Sequence, residues 1–253
     1  MIRVTIPTIP ARAESVRVLA EQVVDGGEAP CLFRGTGTHR EWTSAMLDEA
    51  IVSGADHLVF FDDDARLCAG WREPLEEMIR AYPGEVLGLG ALHPRLPEML
   101  RRGHHWACTH VWTVGWGVVW PRDLLMGFRV WRRDPRTSPL LDAHQMDHLA
   151  NVFLRQAGRL CYHPIPTIAQ QELEPGEERS AFATRESTCV WGEHVPRDRY
   201  EPGWYARLAA PPPILDFPHH SGPAPTRAWG GSILDAQGAV AEPWPGRDWA
   251  EPL

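Results

Sequence analysis

The feature that most constrains the fold is a run at residues 58–61, "LVFF", which is apolar on both faces of an extended chain. Such a strand is typical of the centre of a parallel sheet, where helices cover both faces. The segment before it, 39–53, is a predicted amphipathic helix, because Trp42 and Met46 recur on one helical face. Together they predict a helix packed on a sheet in which this strand is central.

The segments on either side continue an alternation of strands and helices. The predicted order is strand 2–7, helix 11–24, strand 29–35, helix 39–53, strand 54–61, helix 71–83 and strand 85–92. This order predicts an open α/β sheet flanked by helices. In such sheets, ligands bind at the carboxyl ends of the strands.

The second half of the chain is less regular. Its predicted elements are one or two strands within 105–121, a short helix at 122–128, an arginine-rich segment at 129–136, a helix at 142–158 and a strand at 159–164. From Pro211 onward, nine prolines fall within 43 residues. That density predicts an extended tail with little regular helix or sheet.

Composition excludes several kinds of chemistry. All 25 basic residues are arginine, so a Schiff-base lysine and a P-loop lysine are both ruled out. The five cysteines are scattered without a CxxC pair, which argues against a disulfide framework or a structural zinc site and favours a reducing compartment. No apolar run is long enough to cross a bilayer, and the N-terminus lacks the pattern of a secretory signal. We therefore expect a cytoplasmic protein without membrane insertion.

The net charge of −8 is unevenly distributed. Between Arg95 and Arg136, eight arginines stand against three acidic residues, so this segment is basic within an acidic chain. A local anionic ligand explains such a segment, and so does a solvated arginine face. Both explanations stay open.

Three consecutive aspartates, Asp62, Asp63 and Asp64, follow the central strand directly, with Arg66 as the cation nearest to them in the sequence. They are predicted at the carboxyl edge of the sheet. A helix cap needs one aspartate and a general acid/base pair needs no adjacency in the sequence, so a divalent cation explains three consecutive carboxylates better, and a chance acidic turn stays open. Alternation along an extended chain puts Asp62 and Asp64 on one side and Asp63 on the other.

In these features the chain resembles the nucleotide-sugar-dependent glycosyltransferases of the GT-A fold. Four segments carry the resemblance: "VTIPTIPAR" at the first strand, "LVFFDDDARL" at the DXD motif, "HQMDHLANVFLRQAGRLCYHP" where many inverting members place their base, and "PTIAQQ", after which relatives often continue with a histidine ligand. The resemblance implies a GT-A-like, Rossmann-related open mixed sheet flanked by helices. The corresponding division is a domain of residues 1–210, with a nucleotide-sugar-binding half (1–92) and an acceptor-side half (93–210), followed by a Pro/Trp-rich C-terminal extension (211–253).

The resemblance also implies roles for single residues. Those on the donor side are Pro7, Thr8, Arg12, Asp62 and Asp63. Asp64, together with Asp62, would hold Mn²⁺ or Mg²⁺ on the diphosphate of the donor, which is expected to be a UDP-sugar. Asp147 would be the general base, although a helix N-terminal carboxylate favoured by the dipole is an equal alternative. The acceptor-side candidates are Trp116, Arg132 and Arg133, with Trp112 and Trp120 nearby in the sequence.

One position departs from the family pattern. Gln171 stands where relatives often have a histidine, and glutamine is a poor ligand for Mn²⁺. The third metal ligand is therefore open, and the candidates are Gln171, His163, His194, His219 and His220, or phosphate and water.

The leading functional hypothesis is a metal-dependent, inverting glycosyltransferase that acts on an acceptor hydroxyl. The alternatives are a metal-dependent nucleotidyltransferase or phosphohydrolase, and a non-catalytic module that binds nucleotides or carbohydrates. For the acceptor, a hydroxylated base in modified DNA, a glycan and a small metabolite all stay open, because basic residues interleaved with aromatic ones suit phosphates and unstacked bases while the total charge is acidic.

Overall fold

The computed structural model describes residues 1–36, 38–91, 93, 95–109, 117–137, 146–171, 189–207, 212–215, 233–234 and 240–242. The helices within these ranges are α1 (Ala13–Asp25), α2 (His39–Val52), α3 (Arg72–Ala81), α4 (Leu96–Arg101), α5 (Arg122–Arg132) and α6 (Met146–Gln156). The strands are β1 (Ile2–Thr8), β2 (Cys31–Arg34), β3 (His57–Phe60), β4 (Ala65–Leu67), β5 (Val86–Gly88), β6 (Trp106–Thr109), β7 (Val118–Pro121), β8 (Cys161–Pro164), β9 (Ala169–Gln171), β10 (Ile214–Leu215), β11 (Ile233–Leu234) and β12 (Val240–Glu242).

Ten of these strands form one mixed sheet in the order β12-β11-β10-β6-β8-β5-β7-β3-β1-β2. Strand β1 is parallel to both β2 and β3, whereas β7 is antiparallel to β3 and to β5. Strands β4 and β9 form a separate two-stranded antiparallel sheet. The carboxyl ends of β1, β2 and β3 therefore lie side by side at one edge, which is called the upper edge below.

Helices cover both faces of the large sheet. Leu58 and Phe60 of β3 belong to a core shared with α2, α5 and α6, whereas Val59 and Phe61 belong to a core shared with α1 and α3. A central strand that is apolar on both faces has this distribution. The predicted α/β class, a large mixed sheet flanked by helices, is confirmed.

Helix α5 is longer than predicted. The sequence indicated a helix over 122–128 followed by an irregular arginine-rich segment, but the helix continues to Arg132. Leu125 and Phe128 anchor its inner face in the core, and the next turn carries Arg129 and Arg132. Part of the basic segment is therefore helical.

The proline-rich tail contributes regular structure where it is described. Strand β10 is parallel to β6, with Ile214 opposite Cys108 and Leu215 opposite Thr109, and β11 and β12 add two antiparallel strands. Backbone pairing with β6 is possible because the prolines flank these strands rather than interrupt them. The described parts of the tail are extended, as predicted, and they belong to the large sheet.

No helix in the described ranges combines the length and the apolar character that crossing a membrane requires.

Candidate functional site

The upper edge of the sheet begins with the loop after β1. Pro7 and Thr8 are still paired with β2, opposite Phe33 and Arg34. The chain then makes one turn of 3₁₀-helix over Pro10–Arg12 before α1 begins. This short connection places Arg12 close to the end of β3.

The aspartates lie in a turn and not in an extended strand. Strand β3 ends at Phe60, and the Phe61 N–H still donates to the Thr5 carbonyl over 3.1 Å. The Ala65 N–H then donates to the Asp62 carbonyl over 3.0 Å, which closes a turn around Asp63 and Asp64 before β4. Because strand alternation does not continue through a turn, the expectation that Asp63 faces away from Asp64 was wrong.

Arg12 lies between Asp63 and Asp64. Its Nη1 donates to Asp64 Oδ2 over 2.8 Å and lies 3.7 Å from Asp63 Oδ1. Arg66, which is adjacent in the sequence, instead directs its Nη1 to the backbone carbonyls of Ala65 and Ser15. The positive charge that pairs with Asp64 is thus the guanidinium of Arg12, which lies 52 positions away in the sequence.

Gln171 reaches the same carboxylate from a different element. In the β4–β9 pair Ala65 lies opposite Gln171, and Gln171 Nε2 donates to Asp64 Oδ2 over 2.9 Å. The structure therefore brings together the DXD-like segment and the "PTIAQQ" segment. Since Gln171 contacts Asp64 through its amide N–H, it acts here as a donor to the carboxylate.

Strand β4 is held in place by helix α1. The Gln22 side chain accepts from the Leu67 N–H over 3.0 Å and donates to the Leu67 carbonyl over 3.3 Å. Cys68 continues the attachment, because its N–H donates to the Ile168 carbonyl over 2.9 Å. These contacts fix the turn that presents the aspartates.

Asp63 and Asp64 lie in different surroundings. Burial raises the pKa of the Asp63 carboxyl, the nearby Arg12 guanidinium opposes the rise, and the Asp64 charge adds to it. Asp64 is only 7% exposed. A carboxylate at this depth needs donors, and Arg12 and Gln171 supply them.

The donor set suits a cation that arrives with a phosphate. The described residues contain no group of three His, Cys, Asp or Glu side chains placed to hold a metal. Both hydrogen bonds to Asp64 reach Oδ2, so a metal would have to bind through Oδ1. Mg²⁺ typically takes one or two protein carboxylates and completes its shell with phosphates and water. Asp64 and a neighbouring aspartate fit that requirement.

The histidines named as third-ligand candidates have different positions. His163 is 1% exposed on β8, hydrogen-bonded to Thr109 over 3.0 Å. Strand β8 is three strands from β3, roughly 14 Å at the usual strand spacing, so His163 does not reach Asp64. His194 lies in the turn after Trp191. His219 and His220 lie outside the described residues.

A groove lies between α1 and the outer strand β2, and Asp62, Asp63 and Asp64 do not line it. Its volume is about 420 Å³. Residues that line it include Thr8, Ile9, Ala13, Leu32 and Arg34. Thr8 was predicted for the nucleotide pocket and lies here, whereas Pro7 and Arg12 do not line the groove. Arg34 and Leu32 were missed by sequence reasoning, although their place at the end of the strand next to β1 was a usable signal.

The predicted acceptor-side residues are only partly described. Asp147 lies in the first turn of α6, but its side chain is outside the described structure, as are Trp112 and Trp116 entirely. Trp120 is fully buried and stacks on Phe128 with ring centroids 5.4 Å apart, so it is a core residue.

Arg132 and Arg133 occupy adjacent positions at the end of α5, but their environments differ. Arg133 Nη2 donates to Asp48 Oδ2 of α2 over 3.0 Å, and its side chain is 59% exposed. Arg132 is 6% exposed.

Comparison with solved structures finds neighbours at low sequence identity. No protein-family model and no curated protein matches the chain. Among solved structures, A197 from STIV has a TM-score of 0.48 at 13% identity, covering 79% of this chain and 98% of that one. A glycosyltransferase involved in the glycosylation of the major capsid of PBCV-1 has a TM-score of 0.34 at 13% identity, covering 53% and 68%. CMP:2-keto-3-deoxy-manno-octonic acid synthetase in complex with CTP has a TM-score of 0.39 at 12% identity, covering 64% and 88%.

Proposed function

We propose that this protein is a glycosyltransferase that moves a sugar from a nucleoside-diphosphate sugar to an acceptor hydroxyl. The observation that carries the proposal is the convergence of Arg12 and Gln171 on Asp64 at the carboxyl edge of the central strand. Three chain segments from separate elements meet there, and Thr8, at the end of β1, lines a groove large enough for a nucleoside. Open α/β sheets bind their ligands at this edge.

The diphosphate of the donor would lie at the aspartate turn. Arg12 lies in the short 3₁₀ turn after β1. Its guanidinium has a planar fork that matches phosphate oxygens. The nucleoside would occupy the groove lined by Thr8, Leu32 and Arg34. Asp62 would accept hydrogen bonds from the ribose or the donor sugar.

Asp64 and Asp62 would hold Mg²⁺ or Mn²⁺ when the donor binds. Such a cation neutralises charge that develops on the departing nucleoside diphosphate. In the transfer, the bond from the sugar C1 to the diphosphate oxygen breaks and a bond from C1 to the acceptor oxygen forms. Asp147 is the proposed base that takes the acceptor proton, with inversion at C1.

The first test is donor binding. We expect UDP or another nucleoside diphosphate to raise the melting temperature, and Mn²⁺ to increase that shift. The measurement is differential scanning fluorimetry with a panel of nucleoside diphosphates, each with Mn²⁺ and with EDTA. If no nucleoside diphosphate stabilises the protein under either condition, the proposal is wrong.

A second test addresses the role of Asp64. Asp64→Asn keeps the side-chain volume and loses the charge that pairs with Arg12, so the melting temperature should fall, whereas slow hydrolysis of the donor by the folded variant should fall by about 100-fold or more. The matched control is Asp198→Asn on an exposed 3₁₀ turn. Unchanged hydrolysis in the Asp64 variant refutes the role. Release of pyrophosphate from a nucleoside triphosphate, instead of a nucleoside diphosphate from a donor, identifies the nucleotidyltransferase alternative.

A further inference from the structure

Arg132 is a buried guanidinium that lacks a counter-ion in the described structure. It is 6% exposed, and its Nε and Nη1 are buried without a hydrogen-bond partner among the described residues. The other buried arginine, Arg95, has Glu98 Oε2 at 3.4 Å from its Nε. A buried charge without a partner is costly, so proteins pair such groups or use them to bind ligands.

The Asp48 carboxylate acts on Arg132, but two neighbouring arginines already share it. Asp48 of α2 accepts a hydrogen bond from Arg129 Nε and another, of 3.0 Å, from Arg133 Nη2. Arg129 precedes Arg132 in the sequence and Arg133 follows it. Arg40 of α2 adds a further positive charge: burial lowers the pKa of Arg132, and the Arg40 charge lowers it further against the opposing effect of Asp48. Three guanidinium groups thus act on the Asp48 carboxylate, and the charge of Arg40 acts on Arg132.

The topology places this cluster at the edge of the sheet where the aspartates lie. Strand β7 is antiparallel to β3, with Pro121 opposite His57, so α5 begins at the lower edge. It then runs for 11 residues, about 16 Å, and its last turn carries Arg132. The charge of Arg40 acts on Arg132, and Arg40 lies at the start of α2, which follows the upper end of β2. Helix α6 also begins at the upper edge, because it leads into β8, which runs in the same direction as β3.

We propose that Arg132, assisted by Arg40, binds a phosphomonoester group of the acceptor substrate. The inference rests on the proposed transferase function, in which the acceptor approaches the start of α6. Two neighbouring N–H groups of one guanidinium match two oxygens of a phosphate. The excess of positive charge favours a dianion over a singly charged carboxylate or phosphodiester. The side chain is preorganised, because its guanidinium carbon lies 5.8 Å from the centre of the Phe128 ring.

The experiment separates this site from the donor site. The protein is saturated with the nucleoside diphosphate that gives the largest melting shift, and inorganic phosphate is then titrated at constant ionic strength, with chloride and acetate as parallel arms. We expect phosphate to add a shift that chloride and acetate do not produce. Arg132→Met should lose this shift, keep the nucleoside-diphosphate shift, and melt higher than the wild type without ligand because an unpaired buried charge is gone. The matched control is Arg136→Met, whose exposed arginine pairs with Asp134 and lies outside the cluster.

The outcomes distinguish the two proposals. If nucleoside diphosphate binds but phosphate stabilises Arg132→Met as much as the wild type, the inference is wrong and the donor proposal stands. If phosphate acts through Arg132 while no nucleoside diphosphate binds, the anion site stands and the transferase proposal fails. If Arg132→Met lowers the melting temperature of the ligand-free protein and phosphate adds no shift to the wild type, the guanidinium serves an internal contact and the inference is overturned.

Two further measurements sharpen the test. Should Arg132→Met fail to fold, Arg132→Lys keeps the charge and loses the fork, and we expect it to weaken phosphate affinity by about tenfold. Ligand classes are compared by titrating a sugar monophosphate and an oligonucleotide without terminal phosphate. The monophosphate should compete with inorganic phosphate, and competition by the oligonucleotide alone contradicts the phosphomonoester assignment.

Discussion

At the scale of single residues, Asp64 is the most constrained group of the candidate site. One of its oxygens accepts from Arg12 and from Gln171, and the residue is almost completely buried. Its neighbour Asp63 shares Arg12 at a longer distance and has a raised pKa because it is partly buried. The Asp63 and Asp64 carboxylates therefore lie at different distances from the Arg12 guanidinium. We expect substitutions at the two positions to have different effects.

A substitution at Gln171 tests this arrangement. Gln171→Glu replaces an N–H donor by a carboxylate that faces Asp64, so we expect a loss of roughly 1–3 kcal/mol in the free energy of unfolding at neutral pH. The new glutamate would have a raised pKa, because Asp64 is negative and the site is buried. The loss should therefore shrink as the pH falls through that raised pKa.

Urea denaturation at several pH values measures both effects. The matched control is Gln170→Glu, one residue earlier on the same strand and opposite Arg66. A penalty of equal size in both variants, or one that does not depend on pH, contradicts the contact between Gln171 and Asp64.

At the scale of elements, the paired strands β6 and β8 enclose the side chain of His163. His163 of β8 bonds to Thr109 of β6, and its ring leaves no room above Gly88, where an added Cβ would lie 2.5 Å from the imidazole. Burial lowers the pKa of His163 to about 4. The imidazole enclosed by β5, β6 and β8 is therefore neutral at neutral pH.

This pKa predicts an acid sensitivity of the fold. In the unfolded chain, His163 is protonated below its ordinary pKa of 6.5, whereas in the folded protein it stays neutral down to about pH 4. The free energy of unfolding therefore falls as the pH decreases from 6.5 to about 4. The contribution of His163 is on the order of 3 kcal/mol. His163→Gln, measured by urea unfolding at pH 7.5 and pH 5, should lose less stability on acidification than the wild type. An equal loss in both proteins would show that other groups cause the effect.

The elements also show why part of the site could be predicted from sequence. The apolar run of β3 and the helical spacing of α2 identified the central strand, and the aspartates after it followed from chain order. The contact between Arg12 and Asp64 joins residues 52 positions apart, and it depends on the short turn after β1. Gln171 reaches Asp64 through the register of β4 with β9, which no local pattern encodes.

At the scale of the whole molecule, the sheet is completed by residues far apart in the chain. Strand β2 forms one outer edge, and the three strands from the C-terminal region form the other, beyond β6. Between them lie the strands whose carboxyl ends carry the candidate site. The proline-rich tail is thus tied to the same sheet as the aspartates.

Removal of the tail tests this dependence. A chain ending at residue 207 loses the burial of Ile214 and Leu215 and the hydrogen bond from the Cys108 N–H to the Pro213 carbonyl. We expect the free energy of unfolding to fall by about 3 kcal/mol or more. Leu215→Ala in the full-length chain is the control that keeps the backbone pairing, and its loss should be smaller. A truncated protein that unfolds at the same urea concentration as the full-length one would show that the tail is energetically separate.

The position of β10 also has a consequence for biosynthesis. As the chain leaves the ribosome, the strands from β1 to β9 emerge first, and β6 has a free backbone edge until residues 214 and 215 follow. An unpaired strand edge is a template for association with other chains. During that interval a nascent chain is exposed to aggregation at β6, and a slowly translated tail would lengthen the period in which chaperones have to protect it.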